Sequence, residues 1–318
     1  MTGTFAGAGV CSMRMLPAMA KKRAANKKVA TAPPAKDPEL FEVFPSYLEP
    51  KQRDQLLTVI QQKDTDSPTP ALSVMETIAS GRSGGIWGVV CWRFTAGTGL
   101  NGAALLRAVA ANPQNDLFMC HPSPELEGAY PNLWQQGNTV HPRLIEAADA
   151  FFKANGWSTD AFKVLEPSRV CSGSQYLIGN SAFWSIYLPF AREALSKARR
   201  KIPKRTQAWM SEPVIDPRDQ KHPVTYWPLI LERLMPHFLK TEGSKLRVAR
   251  IASPLGERRM DVNLKRLREM KDVAHQSKSA WLASCWTQYR NTYFRNVVDR
   301  SWCEKHLAAL TIEPIAFY

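Results

Sequence analysis

Apolar and polar residues alternate in FEVFPSYL, starting at Phe41, and predict a first strand that ends in a turn at Pro45. In LEPKQRDQLLTVIQQ, leucines and isoleucine recur at helical spacing and predict a helix, closed by the loop DTDSPTP. The glycine-rich SGRSGG then leads into an apolar run from Ile86 to Phe94, the composition of an interior strand. TGLNGAALLRAVAANP reads as a helix with Asn101 as N-cap and Asn112-Pro113 as its end. NDLFMCHPSPE reads as Asp116, a four-residue strand and a loop opened by His121-Pro122. Strand, helix, strand in this order is the unit of a parallel sheet, and ligands gather outside the strand ends of such sheets.

Further along, YPNLWQQGNTV reads as a loop with an aromatic anchor, and HPRLIEAADAFFKANG as a helix ending at Asn155-Gly156. From Cys171 the pattern is a strand, a tight turn at Gly179-Asn180, and a helix carrying Phe183, Trp184, Tyr187 and Phe190 along one side. KARRKIPKR reads as a basic connection, and YWPLILERLMPHFL as a helix entered through Pro228, its apolar face interrupted by Glu232 and Arg233. Two basic amphipathic helices are expected over roughly 261–275 and 279–298.

Charge changes the picture through its distribution. The net +14 divides into +7 over 1–36, zero over 37–239 and +7 over 240–318. The neutral middle is expected to be the folded body, and 1–36, with KKRAANKK and no acid, a disordered basic tail that is simply solvated or holds polyanions or anionic lipid weakly. No apolar run approaches the roughly 18 residues a membrane span needs. The N-terminal segment lacks the order of a signal peptide, so the expected location is the cytoplasm. Six dispersed cysteines give no CxxC pair, which argues against a zinc knuckle or disulfide scaffold. No P-loop, GxSxG, HExxH or zinc-deaminase motif is present.

Five blocks taken together, IWGVVCWRFTAGTGLNG, NDLFMCHPSP, AYPNLWQQGNTVHPRL, SGSQYLIGNSAFWSIYLPF and TYWPLILERLMPHFL, resemble in order and spacing a glycosyltransferase-like family of bacterial polysaccharide clusters and phages. The resemblance covers roughly Phe41 to Leu239. It implies an α/β protein with a GT-A-like, mostly parallel sheet flanked by helices, and the basic amphipathic helices after Met260 add a C-terminal helical appendage. The expected division is a tail over 1–36, a transferase-like domain over 37–240 and a basic helical extension over 241–318.

The resemblance further implies a nucleotide-sugar donor and a hydroxyl acceptor on a polysaccharide or on a modified nucleobase of phage DNA. In such a fold Ser174, Gln175 and Tyr176, at the mouth of the strand after Cys171, would face the acceptor, the Gln175 amide bonding sugar hydroxyls; alternatively these polar groups satisfy one another. Where related proteins place a DxD for Mg²⁺ or Mn²⁺, this chain has Asp116 with Phe118 in the third position, so metal dependence stays open.

Glycosyl transfer needs charge stabilisation at the leaving diphosphate, an aligned acceptor and, on inversion, a base. Arg93 and Arg82 are the candidates for charge stabilisation, with Trp92 beside them at the donor; Asp116 is the candidate for donor or metal contact, with His121 assisting. The base candidates are Glu232 and His141. Each has a structural alternative: Glu232 and Arg233 as a buried ion pair, His121 and His141 as loop anchors, and Trp134 pinning its own loop rather than offering a flat face to a sugar. The rival reading is a non-catalytic nucleic-acid-binding protein that uses the tail and Arg247, Arg250, Arg258, Arg259, Lys265, Arg266 and Arg268 as phosphate contacts.

Overall fold

A computed structural model describes residues 37–51, 53–62, 67–82, 84–173, 176–216, 219–307 and 316–317. The tail expected over 1–36 lies outside the described residues.

The chain enters through β1 (Glu39–Phe44), and β2 (Leu57–Gln61) pairs parallel to it as the edge strand. The helix expected around Leu57 is therefore a strand: Thr58, Val59 and Ile60 are three β-branched residues in a row, which crowd a helix and suit a pleated edge. In α1 (Pro70–Ser80) a proline stands in the first turn and Leu72, Met75 and Ile78 face the core. β3 (Trp87–Cys91) pairs parallel to β1 on its other side. After α2 (Phe94–Thr98), α3 (Gly102–Ala110) starts as expected at Asn101, whose side chain accepts from the Ala104 amide at 2.9 Å.

β4 (Leu117–Cys120) is followed by α4 (Pro124–Ala129), α5 (Leu133–Val140) and α6 (Leu144–Asn155). The expected loop over YPNLWQQGNTV is thus largely helix, begun by Asn132, which accepts from the Gln135 amide at 2.9 Å. α6 ends where expected, with Gly156 at φ 75°. The short β5 (Leu177–Gly179) runs into α7 (Ser181–Lys201), capped by Asn180. The expected basic connection is the end of α7 together with α8 (Lys204–Met210), and β6 (Val214–Asp216) and β7 (Asp219–Val224) make a separate two-stranded sheet. The single helix expected over YWPLILERLMPHFL is two, α9 (Tyr226–Leu231) and α10 (Met235–Lys240), broken at Glu232–Leu234 ahead of Pro236. β8 (Val248–Ile251), α11 (Pro254–Arg259), α12 (Val262–Ser277), α13 (Ala280–Val297) and α14 (Arg300–His306) complete the fold.

The main sheet has the order β2-β1-β3-β5-β4-β8, with β5 alone antiparallel to its neighbours. This is an α/β protein with a mostly parallel six-stranded sheet between helical layers. Period-two alternation divides the core: Phe41, Trp87, Val89, Leu117 and Met119 face α1, α6 and α7, while Leu40, Val90, Phe118 and Ile178 face α3. Among the described residues, no helix is long and apolar enough to cross a membrane.

The expected boundary at 240 does not divide the described chain, whose residues from Asp37 onward form one compact unit. β8 lies in the main sheet beside β4, and α12 packs on α4 so closely that a Cβ at Gly128 would stand 2.8 Å from the Leu264 carbonyl oxygen. The buried Lys271 donates to the Tyr130 carbonyl at 3.0 Å, and the Trp286 indole to the Gly128 carbonyl at 3.0 Å. These polar bonds into α4 make the C-terminal helices part of the body.

Candidate ligand-binding cleft

In the sheet order, β1 leads to β2 on one side and has β3 on the other, so a crevice opens between the carboxyl ends of β1 and β3. A cleft of about 300 Å³ lies there. Because β5 runs against its neighbours, its beginning reaches the same edge, which is how Tyr176 comes to line the cleft.

The floor is built by β3. The Trp92 amide donates to the Val43 carbonyl at 3.0 Å, carrying the β1–β3 ladder one residue past Cys91. Arg93 follows, with its guanidinium 4.5 Å from the centre of the Trp92 ring. The Cys91 sulfur lies 3.1 Å from the Tyr176 hydroxyl, and the Tyr176 ring meets Phe94 edge-on at 4.9 Å. Burial pushes the Cys91 thiol up and the Tyr176 phenol well up, so both are neutral hydrogen-bonding groups at neutral pH.

The break between α9 and α10 sends Glu232 and Arg233 in different directions. Arg233 is 4% exposed and donates to the carbonyls of Leu133 at 3.2 Å and Leu229 at 2.8 Å. Glu232 lines the cleft with its side chain one-third exposed, its carboxylate 3.9 Å from Arg233. What reads in sequence as one buried pair is a structural cation next to a solvent-accessible carboxylate.

The remaining rim was not legible in the sequence. Tyr47, in the turn after β1, and His222, on β7, stack at 3.7 Å between ring centres and 6° between planes. Gln62, just past β2, completes this side. An aromatic in the turn after the first parallel strand is a signal that could have singled out Tyr47; His222 arrives from a separate sheet and had none.

Of the other expected site residues, several lie elsewhere. Asp116 precedes β4 at the opposite, amino edge of the sheet. Its carboxylate accepts from the Arg247 backbone amide at 2.9 Å, from the Arg247 guanidinium at 3.2 Å and from Asn180 at 2.9 Å. Its place is a clasp between β4, β5 and β8, not the cleft. Arg82 is at the same far edge, ion-paired with Glu39 and 4.9 Å over the Phe41 ring. Trp134 is 1% exposed and meets Phe152 and Phe162 edge-on, which makes it a core residue rather than an acceptor platform.

His121 and His141 are 4% and 0% exposed, and neither lines the cleft. His121 lies just behind it: its Nδ1 accepts from the Ser123 amide at 3.2 Å, Glu127 is at 3.4 Å, and burial pulls its pKa down to about 3. It is therefore a neutral ring at neutral pH, held by Ser123. Ser174 and Gln175 lie outside the described residues. The structure thus brings together Trp92, Arg93, Tyr176 and Glu232 from the expected set and leaves Asp116, Arg82, Trp134, His121 and His141 out of the cleft.

The Arg247 contacts hold the Asp116 carboxyl down from its ordinary 3.8 to about 2. A depressed folded-state pKa contributes stability that is fully present above the unfolded value and is lost as pH falls through the folded one. The window is therefore pH 4 down to 2. With Arg247 60% exposed on its side chain, solvent screening keeps the contribution small. Asp116→Ala is expected to lower the melting temperature at pH 7 and to narrow that loss as pH falls through this window, seen in melting curves of both proteins between pH 7 and 2. An unchanged difference across the window would remove Asp116 as the clasp.

Among the described residues, neither the cleft lining nor Asp116 offers a set of ligands that fits a divalent metal. Both Asp116 oxygens are taken by Arg247 and Asn180, the β3 end offers Cys91, Trp92 and Arg93 in place of carboxylates, and Glu232 is the one acidic side chain among the described lining residues. No group of three or more acidic, His or Cys side chains with metal-holding geometry occurs among the described residues.

The cations expected to meet nucleic acid are partly engaged internally: Arg247 with Asp116, Arg250 with Glu127, Arg259 with Glu125 and Arg268 with Glu257. The cleft by contrast assembles a cation, a carboxylate, the neutral hydrogen-bonding groups of Gln62, Cys91 and Tyr176, and the rings of Tyr47, Trp92, Tyr176 and His222, a set suited to a polar ligand that carries a ring and a negative charge. Compared with protein-family models, curated proteins and solved structures, the chain finds no match.

Proposed function

We propose that the protein is a glycosyltransferase of GT-A-like architecture that binds a nucleotide-sugar in the cleft at the carboxyl ends of β1 and β3 and transfers the sugar to a hydroxyl of a glycan or of a modified nucleobase. The observation that carries this reading is the joint presence of Arg93 and Glu232 in that one crevice, at the switch point of a mostly parallel sheet. Arg93 meets the diphosphate and stabilises the charge that grows on it as the sugar leaves. Glu232 takes the proton of the acceptor hydroxyl as its oxygen bonds to the anomeric carbon and the bond to the diphosphate breaks, a displacement that inverts that carbon. Tyr176 and Cys91, both neutral, provide hydrogen bonds along the floor, and Trp92 holds the Arg93 guanidinium against its face.

The test is thermal stability against a panel of nucleotide-sugars, each with and without Mn²⁺. A donor present at about 100 times its Kd raises the melting temperature by about 4–8 °C. The rise is expected with one nucleotide class, is lost in Arg93→Ala, and is kept in Asp116→Ala. If no donor shifts the wild-type protein in either metal condition, the transferase reading fails.

A further inference from the structure

The stack of Tyr47 and His222 at the rim of the cleft has an unequal footing. Tyr47 stands on a fixed turn: the Leu48 amide donates to the Pro45 carbonyl at 3.1 Å, and the Gln61 side-chain amide donates to the Ser46 and Leu48 carbonyls at 3.2 and 3.1 Å. The turn is thus tied to the edge of the main sheet. His222 stands on β7, whose strand partner is β6, in a two-stranded sheet separate from the main one and with a register shift between Val214 and Asp216. Two-stranded ribbons are marginal by themselves, so β7 is the partner that yields.

The spacing then has a consequence for any ligand. Ring centres 3.7 Å apart at 6° are in face-to-face contact, and a third ring between them would need about twice that separation. A planar ligand ring reaches that face of Tyr47 only by displacing His222. Both rings line the cleft together with Gln62 and Arg93, and Tyr47 is 49% exposed, so a displaced His222 uncovers a flat, amide-flanked surface in the same cleft as a cation.

We propose that Tyr47 is the stacking platform for the nucleobase of a nucleoside diphosphate, and that His222 occupies this platform in the free protein as an internal competitor which the base displaces. This rests on the proposed transferase reading only for the sugar that follows the diphosphate; the base and its competitor stand on the ring geometry. A competitor that must leave before binding raises the apparent Kd to the intrinsic Kd divided by the fraction of molecules in which the platform is uncovered. Its removal therefore tightens binding, whereas a residue that contacts the ligand weakens binding when removed.

The experiment is calorimetric titration of the full chain with uridine, thymidine, cytidine, guanosine and adenosine 5′-diphosphates, with sugar transfer from the matching nucleotide-sugars measured in parallel. His222→Ala is expected to bind the preferred diphosphate about 2- to 10-fold more tightly than wild type, the range a single ring stack is worth. Adding Tyr47→Ala to His222→Ala is expected to weaken binding at least about fivefold relative to His222→Ala alone, with Tyr47→Phe near wild type. Both positions are at the rim, and circular dichroism of each variant checks that the fold is kept.

Weaker binding by His222→Ala would make His222 a ligand contact and overturn the inference, as would equal affinity of His222→Ala with and without Tyr47→Ala. If the diphosphates follow the expected pattern but no sugar is transferred, the inference stands and the transferase reading falls. If transfer occurs but neither ring affects binding, the reverse holds. If no diphosphate binds wild type or His222→Ala, the platform does not exist and the inference is overturned.

Discussion

Glu232→Gln is expected to lower the turnover of sugar transfer by about 10²- to 10⁴-fold, the usual worth of a positioned general base. The substitution keeps shape and hydrogen-bonding capacity and removes the charge and the proton acceptor. Stability is expected to change little, because the side chain is one-third exposed and Arg233, 3.9 Å away, is held by two backbone carbonyls of its own. Donor affinity is expected to stay within about twofold, since the role assigned to Glu232 is toward the acceptor, so the loss falls on kcat rather than on donor binding. The measurement is initial rate against donor concentration for both proteins. A kcat within about threefold of wild type would remove Glu232 as the base, whatever the donor result.

Gly88→Val is expected to have the largest effect on stability. Gly88 sits opposite Ile178 where β3 and β5 pair, and a Cβ at this position would stand 2.4 Å from the Ile178 Cγ1 and 2.8 Å from its Cα. Part of that clash is with backbone, so a rotamer change cannot relieve it and the two central strands have to separate. The expected cost is about 3 kcal/mol or more, a large share of the 5–15 kcal/mol that holds a typical domain together. Ile178→Ala in the same chain removes the Cγ1 contact and leaves the one to Cα, so the double variant is expected to recover only part of the loss. Chemical denaturation of the three variants measures this, and a Gly88→Val protein as stable as wild type would show that the strands approach less closely than the described contact requires.

Gly88 and Glu232 are positions of different kinds, and they differ in what the sequence reveals of them. Gly88 lies in GVV, a buried apolar run that is legible as an interior strand; its neighbour Ile178 is 90 residues away, and nothing local says that the strand carrying it is inserted backwards between β3 and β4. Glu232 could be named as a candidate because a charged pair inside an apolar helix demands an explanation. Which of the pair faces the cleft depended on the helix breaking after Leu231, ahead of Pro236 and with Arg233 bonded to Leu133 and Leu229.

Asp116 shows the opposite case. A lone acid at the edge of a four-residue apolar strand is an attractive ligand-binding candidate as long as the strand's direction relative to the cleft is unknown. Parallel pairing puts the beginning of β4 at the amino edge, away from the crevice, and Arg247 arrives there from more than a hundred residues downstream to neutralise it. Trp134 was similarly open between platform and anchor, and its enclosure by Phe152 and Phe162 makes it an anchor.

The sequence by itself determined the local features of this protein: the cap at Asn101, the stop at Gly156, the turn at Gly179-Asn180 ahead of α7, and the apolar strands β1, β3 and β4 with α3 between the last two. These depend on hydrogen bonds and side-chain periodicity within a few residues, so they are written in the order of the residues. Only the tertiary structure decided the reversal of β5, the inclusion of β8 and the C-terminal helices in the body, and the meeting of Tyr47 with His222 and of Arg93 with Glu232. Each of these joins segments separated by tens to hundreds of residues, and such pairings are selected by burial and closure of the whole sheet, a property that no single stretch of the chain carries.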